Sequence, residues 1–227
     1  MIQIGYSLFT SMGILFFRLL IPMGVLFFLK PAMAQNSQPP MPLEVFIGGE
    51  KSYMEFVISR SFSPGSNFSF FAVPNLTASY KNDKDVNEIV IPAQISYQTK
   101  IGLGAFIGVN MNNVTGVKPV AGPLHFYATK EILLSTMPSI ALDRSVLSFF
   151  GVYEFKPSLS DDLSLYSRVQ ILVKHDTVIN AHARSYLYLR FGIRLKSFTT
   201  GLGFNLDWIG PERNYENSFG PFVGWNF

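Results

Sequence analysis

Long segments of alternating hydrophobicity constrain the fold of this chain more than any other feature of its sequence. In residues 185–196, Leu187 and Leu189 alternate with Tyr188 and Arg190. Alternate side chains of a β-strand point to opposite faces, so this segment has one apolar and one polar face. Transmembrane β-barrel strands have this period and a length of about ten residues. Similar segments recur at residues 89–97, 101–112 and 163–173.

A soluble β-sandwich is the alternative, because its strands also alternate between apolar and polar residues. Most strands of globular proteins are short, about five or six residues, and a sandwich strand packs its apolar face against a second sheet. The alternating segments here run for roughly ten to fourteen residues, which is long enough to cross a bilayer at a tilt. The sequence therefore favours an all-β fold, a transmembrane antiparallel up-and-down β-barrel.

Turn residues divide the chain into twelve candidate strands. Shorter and longer links alternate between them, as in outer-membrane barrels, whose short turns face the periplasm. The weakest strands are the first one and residues 131–140, which include Pro138. If the first hairpin is one bent strand and one weak segment is a loop, the count is ten. The twelve segments are residues 43–48, 52–62, 67–80, 87–98, 100–111, 117–129, 131–140, 145–156, 163–173, 182–196, 198–208 and 218–227.

The last of these segments ends the chain on an aromatic residue. Phe219, Val223, Trp225 and Phe227 share one face of the strand. A barrel can end in this way because the final Phe lies in the aromatic girdle at the membrane interface. The ending resembles the terminal signal of bacterial outer-membrane proteins, which the barrel-assembly machinery reads. That resemblance implies outer-membrane lipid and the assembly machinery as partners.

Residues 1–34 have the pattern of a cleaved signal peptide. An apolar run at residues 19–29 lies between Arg18 and Lys30, and an Ala-Met-Ala cleavage pattern follows it. A membrane anchor is the alternative, but Arg18 divides the apolar residues into pieces shorter than the ~20 that a spanning helix needs. Because the residues before Arg18 are unusually apolar, Met12 is an alternative start of translation.

After the leader, the sequence predicts a flexible lead-in at residues 35–42 and one barrel domain at residues 43–227. Removing the leader removes two basic residues and no acidic one, which leaves 16 Lys and Arg against 15 Asp and Glu. This near balance indicates no nucleic-acid partner. The chain has no Cys, which excludes disulfides and thiolate metal sites.

Inward-facing charges determine what a barrel lumen can bind. Strand parity predicts a basic ladder on one wall, from two neighbouring strands: Arg168, Arg184, Arg190, Arg194 and Lys196. The same parity predicts fewer inward acids: Glu55, Glu154 and Asp207. One interpretation is that these long side chains fill the lumen and pair with each other. The other is a path or pocket for a small anionic solute, since guanidinium groups bind carboxylate and phosphate bidentately.

An enzyme needs a nucleophile and a base, and outer-membrane barrels that hydrolyse lipid acyl esters use a Ser–His pair near the outer membrane face. His125 faces inward by parity beside Tyr127, while His175 and His182 flank a predicted outer link, with Asp176 close to His175. No serine lies in a recognisable nucleophile motif, and no metal-ligand spacing or phosphate-binding loop stands out. The sequence therefore predicts no enzyme and no cofactor, with a lipid-modifying acyl-ester hydrolase as the alternative.

Two segments and the final Phe carry a further resemblance. They are residues 43–49, Leu-Glu-Val-Phe-Ile-Gly-Gly, and residues 151–167, Gly-Val-Tyr-Glu-Phe-Lys-Pro-Ser-Leu-Ser-Asp-Asp-Leu-Ser-Leu-Tyr-Ser. In these the chain resembles small outer-membrane barrels of the Bacteroidota type, a group largely without assigned function. The resemblance implies the barrel fold and the bacterial outer membrane, and no catalytic residues. The predicted function is a non-enzymatic barrel: a narrow pore, a small-ligand-binding barrel or a structural membrane component.

Overall fold

The computed structural model describes residues 39–81 and 87–227 of the chain. The predicted signal peptide and the first half of the predicted lead-in lie outside the described residues. Within those ranges, no helix is long and apolar enough to span a membrane. The regular structure there is β-strand: β1 (Pro42–Ile47), β2 (Lys51–Phe56), β3 (Ile58–Ser61), β4 (Phe68–Ala72), β5 (Asn75–Ser79), β6 (Glu88–Gln98), β7 (Leu103–Asn112), β8 (Gly116–Ala128), β9 (Ile132–Ala141), β10 (Val146–Phe155), β11 (Leu163–Asp176), β12 (Ala181–Leu195), β13 (Phe198–Ile209) and β14 (Asn214–Asn226).

These segments form twelve antiparallel barrel strands, as the sequence predicted. Each complete barrel strand, whether continuous or interrupted, is called a stave below. β2 and β3 are one stave interrupted at Val57, and β4 and β5 are one stave interrupted at Val73 and Pro74. Both β4 and β5 pair with β6, so they continue along the same line. The first hairpin forms, with β1 paired to β2. The alternative count of ten is therefore wrong.

The stave that contains Pro138 also forms, although proline interrupts its ladder on one side. β9 pairs along nearly its whole length with β10, and Pro138 lies opposite Phe149. Toward β8, the pairing is missing between Ala121 and His125, opposite Pro138. Neither Pro138 nor Pro123 carries a backbone N–H, so the ladder opens there and re-forms on both sides.

The sheet closes because its first and last strands pair. β1 runs antiparallel to β14, with Leu43 opposite Trp225 and Phe46 opposite Phe222. Each of the twelve staves therefore has a partner on both sides, although the β3 part of its stave pairs with β4 alone among the described residues. The fold is a closed, all-β antiparallel barrel of 12 strands.

Some links that the sequence predicted to be long are short in the structure. β14 begins at Asn214, so the link predicted at residues 209–218 is a turn of residues 210–213, because strand pairing continues into polar residues. The β11–β12 link is shortened in the same way. A longer link, residues 156–162, lies at the end of the barrel that carries the carboxyl terminus. The predicted alternation of short and long links is thus partial, and the end that faces the periplasm stays a prediction.

The outer face of the barrel is apolar. Large hydrophobic side chains are exposed on all twelve staves, among them Ile47, Phe70, Ile95, Ile107, Phe191, Phe204 and Trp225. A closed barrel with so much exposed apolar surface requires hydrocarbon around it. The protein is therefore an outer-membrane β-barrel.

The residues of the predicted assembly signal belong to this apolar surface. Phe219, Val223, Trp225 and Phe227 all face outward, and Phe227 is 63% exposed. The backbone of Phe227 is fixed by two hydrogen bonds of 3.2 Å with Met41, one in each direction. Their recognition by the assembly machinery stays a prediction.

Two groups of buried side chains fill the lumen. An apolar cluster comes from β7, β8 and β9: Phe106, Val120, Leu124, Met137 and Ala141. An aromatic cluster comes from β1, β2, β11, β12 and β14: Phe46, Tyr53, Tyr166, Tyr188 and Phe222. The second cluster surrounds the buried charges of the barrel.

Candidate functional site in the barrel lumen

Four of the five cations in the predicted ladder lie inside the barrel. Arg168 on β11 and Arg190 on β12 are 5% and 0% exposed. Arg184 and Arg194 share the inner face of β12 with Arg190. Lys196 lies elsewhere, because β12 ends at Leu195 and a tight turn begins. Its backbone is left-handed, with φ of 53°, its side chain is 70% exposed, and its ammonium group lies 3.4 Å from a carboxylate in the neighbouring link.

Glu44 on β1 holds the two buried arginines together. Its Oε1 atom accepts a hydrogen bond from Nη2 of Arg168 at 2.7 Å and another from Nε of Arg190 at 2.8 Å. Glu44 was missing from the predicted acids, because β1 is short and was the weakest predicted strand. Once β1 is accepted as a strand, its alternation places Glu44 and Phe46 on the inner face.

Arg190 lies in a pocket that excludes water. Its guanidinium carbon is 4.5 Å from the ring centroid of Phe46 and 5.7 Å from that of Phe222. Its Nη1 atom donates to Oδ1 of Asn205 at 2.7 Å. Gly203 on the neighbouring strand leaves room for this side chain, since a β carbon there would lie 2.8 Å from Nη1. A buried charge is costly unless it is paired, so these contacts fix Arg190 in one position.

Glu55 extends the network along the inner wall. Its Oε1 atom accepts from Nη1 of Arg168 at 3.4 Å. Its Oε2 atom accepts from the Tyr53 hydroxyl at 2.7 Å and from Nε2 of Gln170 at 3.0 Å. Gln170 also donates to the Tyr186 hydroxyl at 3.1 Å. This predicted inward acid is therefore occupied by protein donors.

Two acids hold Arg184. Its Nη1 atom lies 2.6 Å from Glu88, and its Nη2 atom lies 3.0 Å from Asp207. The Tyr188 hydroxyl lies 3.2 Å from Asp207 and donates to it. The sequence predicted the inward position of Asp207 but not that of Glu88. The alternation of side chains along β6 is the signal that could have predicted the inward position of Glu88, because Glu88 shares a face with Gln94.

The remaining predicted residues, Glu154 and Arg194, meet around Tyr166. Glu154 accepts from Nζ of Lys156 at 2.7 Å and from the Tyr166 hydroxyl at 3.1 Å. Arg194 lies over the Tyr166 ring, 5.6 Å from its centroid, and its Nε atom donates to Oγ1 of Thr199 at 3.3 Å.

The network explains why a ladder of arginines can exist in a narrow barrel. Three of the four arginines pair with carboxylates, and these come mainly from strands far away in sequence, β1, β2 and β6. A buried ion pair is tolerated when its hydrogen-bonding groups are satisfied by good geometry. Along this wall the arginines fill the lumen by pairing, and they do not form an open basic path.

A cavity of about 110 Å³ remains in the lumen, bounded by both the paired network and the apolar cluster. Its polar lining includes Gln94, Asn110, Gln170, Lys174 and Arg184. Lys174, on β11, is not among the predicted inward cations, although it alternates in phase with Arg168 and shares its face. Among the described residues it makes no ion pair or hydrogen bond, and its charged neighbours are Arg184 and Glu88.

Two buried polar atoms of the cavity wall also have no partner within the described part of the chain. They are Oε1 of Gln170, an acceptor, and Nε of Arg184, a donor. Buried polar atoms of folded proteins are nearly always hydrogen-bonded, to protein, water or ligand. Together with the Lys174 ammonium group, they mark the cavity as a place for polar guests.

In the structure, His125 lies on the outer face of the barrel and not in the lumen. It lies opposite Leu103, whose side chain is exposed on the outer face, while its neighbour Leu124 is buried inside. The inward prediction was wrong because both faces of β8 are mostly apolar there, so pairing with β7 decides the orientation. His175 contacts Oδ1 of Asn180 through Nε2 at 3.1 Å. No group of three or more His, Cys, Asp or Glu in the described ranges is placed to hold a metal ion.

No protein-family model and no curated protein sequence matches the chain. Among solved structures, it is similar to the KdgM porin in complex with disordered oligogalacturonate, with a TM-score of 0.48 and 10% identity over 83% of this chain and 99% of that one. For the NanC porin, the TM-score is 0.49 with 10% identity over 82% and 100% of the two chains. For OprD from Pseudomonas aeruginosa, it is 0.39 with 12% identity over 78% and 60%. Similarity at this level carries over neither ligand nor activity, and the barrel assignment rests on strand pairing.

Proposed function

We propose that the lumen is a non-catalytic binding compartment for a small organic anion that also carries a hydroxyl group. The observation that carries this proposal is the Lys174 ammonium group, which lines the cavity and makes no ion pair or hydrogen bond with a described residue. Its acidic neighbour Glu88 is paired with Arg184 instead. An anionic group would pair with Lys174, with the Arg184 Nε–H as a second donor. A hydroxyl would donate to the free Oε1 of Gln170.

A wide open pore is less compatible with the same geometry. Arg168 and Arg190 are almost fully buried, and the aromatic cluster packs around them. An open channel would leave such charged side chains in contact with water. The narrow-pore alternative requires solutes to pass between the network and the apolar cluster, through the cavity itself.

Calorimetry on the purified, folded barrel tests the proposal with three matched probes. Glycerate has a carboxylate and hydroxyls, acetate lacks the hydroxyls, and glycerol lacks the charge. Glycerate should bind most tightly. A hydrogen bond to a charged group contributes about 1.5–3 kcal/mol, so Lys174→Gln should weaken glycerate binding by roughly 10- to 100-fold and leave glycerol unchanged.

Lys118→Gln is the matched control, because this lysine donates to Oγ of Ser145 at 2.7 Å and does not line the cavity. It should bind glycerate as the wild type does. Equal losses in the two variants, or glycerol binding as tightly as glycerate, would refute the proposal. Planar-bilayer recordings separate the pore alternative. A large anion-selective conductance in the wild type would favour a pore over a closed compartment.

A further inference from the structure

His182 and Ser185 contact each other at one end of the barrel, away from the lumen network. The Nε2 atom of His182 lies 2.8 Å from Oγ of Ser185, and its Nδ1 atom lies 2.8 Å from the carbonyl oxygen of Gly210. Both side chains are partly exposed. The contact is independent of the cavity at Lys174.

A β-bulge brings the two side chains together. The pairing of β12 with β11 shifts register at Ala183, which has no partner there, and His182 lies opposite His175. A one-residue bulge shifts the alternation of side chains along the strand. His182 therefore shares the outer face with Ser185, whereas strict alternation would place it inside with Arg184.

The hydrogen bonds determine the tautomer of His182. A carbonyl oxygen can only accept, so Nδ1 carries the proton and donates it to Gly210. In the neutral imidazole, Nε2 is then an acceptor, and the Ser185 hydroxyl donates to it. A serine nucleophile needs this arrangement, with a base that faces the hydroxyl and a third group that orients the base.

The pair lies at the edge of the lipid-facing surface. Ser185 is directly opposite Trp208 on β13, and the Trp208 ring lies 5.6 Å from that of Tyr215. Trp and Tyr are enriched at membrane–water interfaces. The turn that follows begins at Gly210. The Ser185 hydroxyl is thus at the depth of lipid headgroups and of the ester bonds that join them to acyl chains.

We propose that Ser185 and His182 form a catalytic dyad that hydrolyses acyl esters of membrane lipids. His182 takes the Ser185 proton as Oγ attacks the ester carbonyl, and it returns that proton to the departing lipid alcohol. Water then attacks the acyl-serine, giving up a proton to His182, and the fatty acid leaves as the serine is restored. Trp208 lies opposite Ser185, and its indole N–H has no acceptor among the described residues, so in this proposal it donates to the carbonyl oxygen.

Covalent labelling tests the nucleophile without relying on a variant. The folded full chain in phosphatidylethanolamine vesicles is treated with an alkyl fluorophosphonate, and the modified residue is mapped by mass spectrometry. We expect modification at Ser185. In the same vesicles, release of a fluorogenic acyl chain should fall to background in Ser185→Ala and by about 10²–10⁴-fold in His182→Ala.

Ser167→Ala is the matched control, because Ser167 is a partly exposed, outward-facing serine on β11 that donates to the Phe155 carbonyl oxygen. It should keep full activity, and heat-modifiable gel mobility should show that every variant is folded. The proposal is overturned if the folded wild type is not labelled at Ser185. It is also overturned if hydrolysis by the wild type does not exceed that of Ser185→Ala.

Discussion

Glu44 is the residue whose replacement most directly tests the lumen network. Its carboxylate is buried and accepts hydrogen bonds from both Arg168 and Arg190. Glu44→Gln keeps the shape of the side chain but removes its charge. Arg190 then loses its ion pair, and Arg168 keeps only its 3.4 Å contact with Glu55. Removing one partner of a buried ion pair costs about 3–5 kcal/mol. We expect Glu44→Gln to lower the free energy of unfolding by that amount.

Urea titration of the barrel in lipid vesicles measures this change, with tryptophan fluorescence and heat-modifiable mobility as two probes of folding. Glu216→Gln is the control, because Glu216 lies 2.6 Å from Lys51 but is half exposed. Exposed ion pairs contribute about 0–1 kcal/mol, so this variant should unfold almost as the wild type does. Equal losses in the two variants would refute the idea that burial makes the Glu44 network strong.

A double-mutant cycle tests the same reasoning from the opposite side. Glu44→Leu alone leaves Arg190 buried without its carboxylate, and Arg190→Met alone removes one of the two donors to Glu44. Replacing both partners of a buried pair by apolar residues is often neutral or stabilising. The double variant should therefore be more stable than the sum of the single losses predicts, and additive losses would contradict the coupling.

Three further changes test other parts of the barrel. A β carbon at Gly203 would lie 2.8 Å from the buried Arg190. In urea titration, Gly203→Val should therefore lower the unfolding free energy by about 1–3 kcal/mol. Gly49→Val is the control and should be neutral, because a β carbon at Gly49 would have nothing within 4 Å. The pKa of Asp143 lies below its ordinary value because the hydroxyl and N–H of the residue two positions later donate to it. The ionised carboxylate therefore stabilises the turn at a pH above the ordinary pKa, and this stabilisation is lost as the pH falls through the lowered pKa. In wild type, amide-exchange protection of the turn should decrease over that pH range. In Asp143→Asn, the protection should no longer decrease there. Phe227→Ala removes a lipid-facing ring that is 63% exposed on the barrel surface, so the unfolding free energy should fall by about 1–3 kcal/mol. Assembly into vesicles that contain the assembly machinery should also slow several-fold, and an unchanged rate would contradict the terminal signal.

Strand period was enough to predict most of the architecture. Alternation requires only local sequence, and a barrel strand shows it because one face meets lipid while the other meets the lumen. The twelve staves and the inward positions of Arg168, Arg190 and Asp207 followed from it. Where both faces of a strand are apolar, as around His125, the same signal cannot distinguish inside from outside, and the pairing with β7 decided the orientation.

The partners of the inward charges were beyond sequence reasoning. Glu44 and Arg190 are 146 positions apart and meet because β1 closes on β14, which brings the beginning of the barrel next to its end. Glu44 also lies in the shortest predicted strand, where too few residues alternate to indicate which face is inward. The basic ladder predicted from the sequence is a paired, buried network in the structure. The cation that lines the cavity without an ion pair to a described residue is Lys174.

The sequence by itself determined that this chain forms long alternating strands, that they close into a barrel, and that the outside is apolar. These properties depend on the two-residue period of a strand, which short windows within most of the barrel strands display. The tertiary structure alone decided which charges form pairs and which residues depart from the inward–outward alternation of a strand. The bulge at Ala183 turns His182 outward to Ser185 because one unpaired residue shifts the alternation, and no local pattern in the sequence marks that residue.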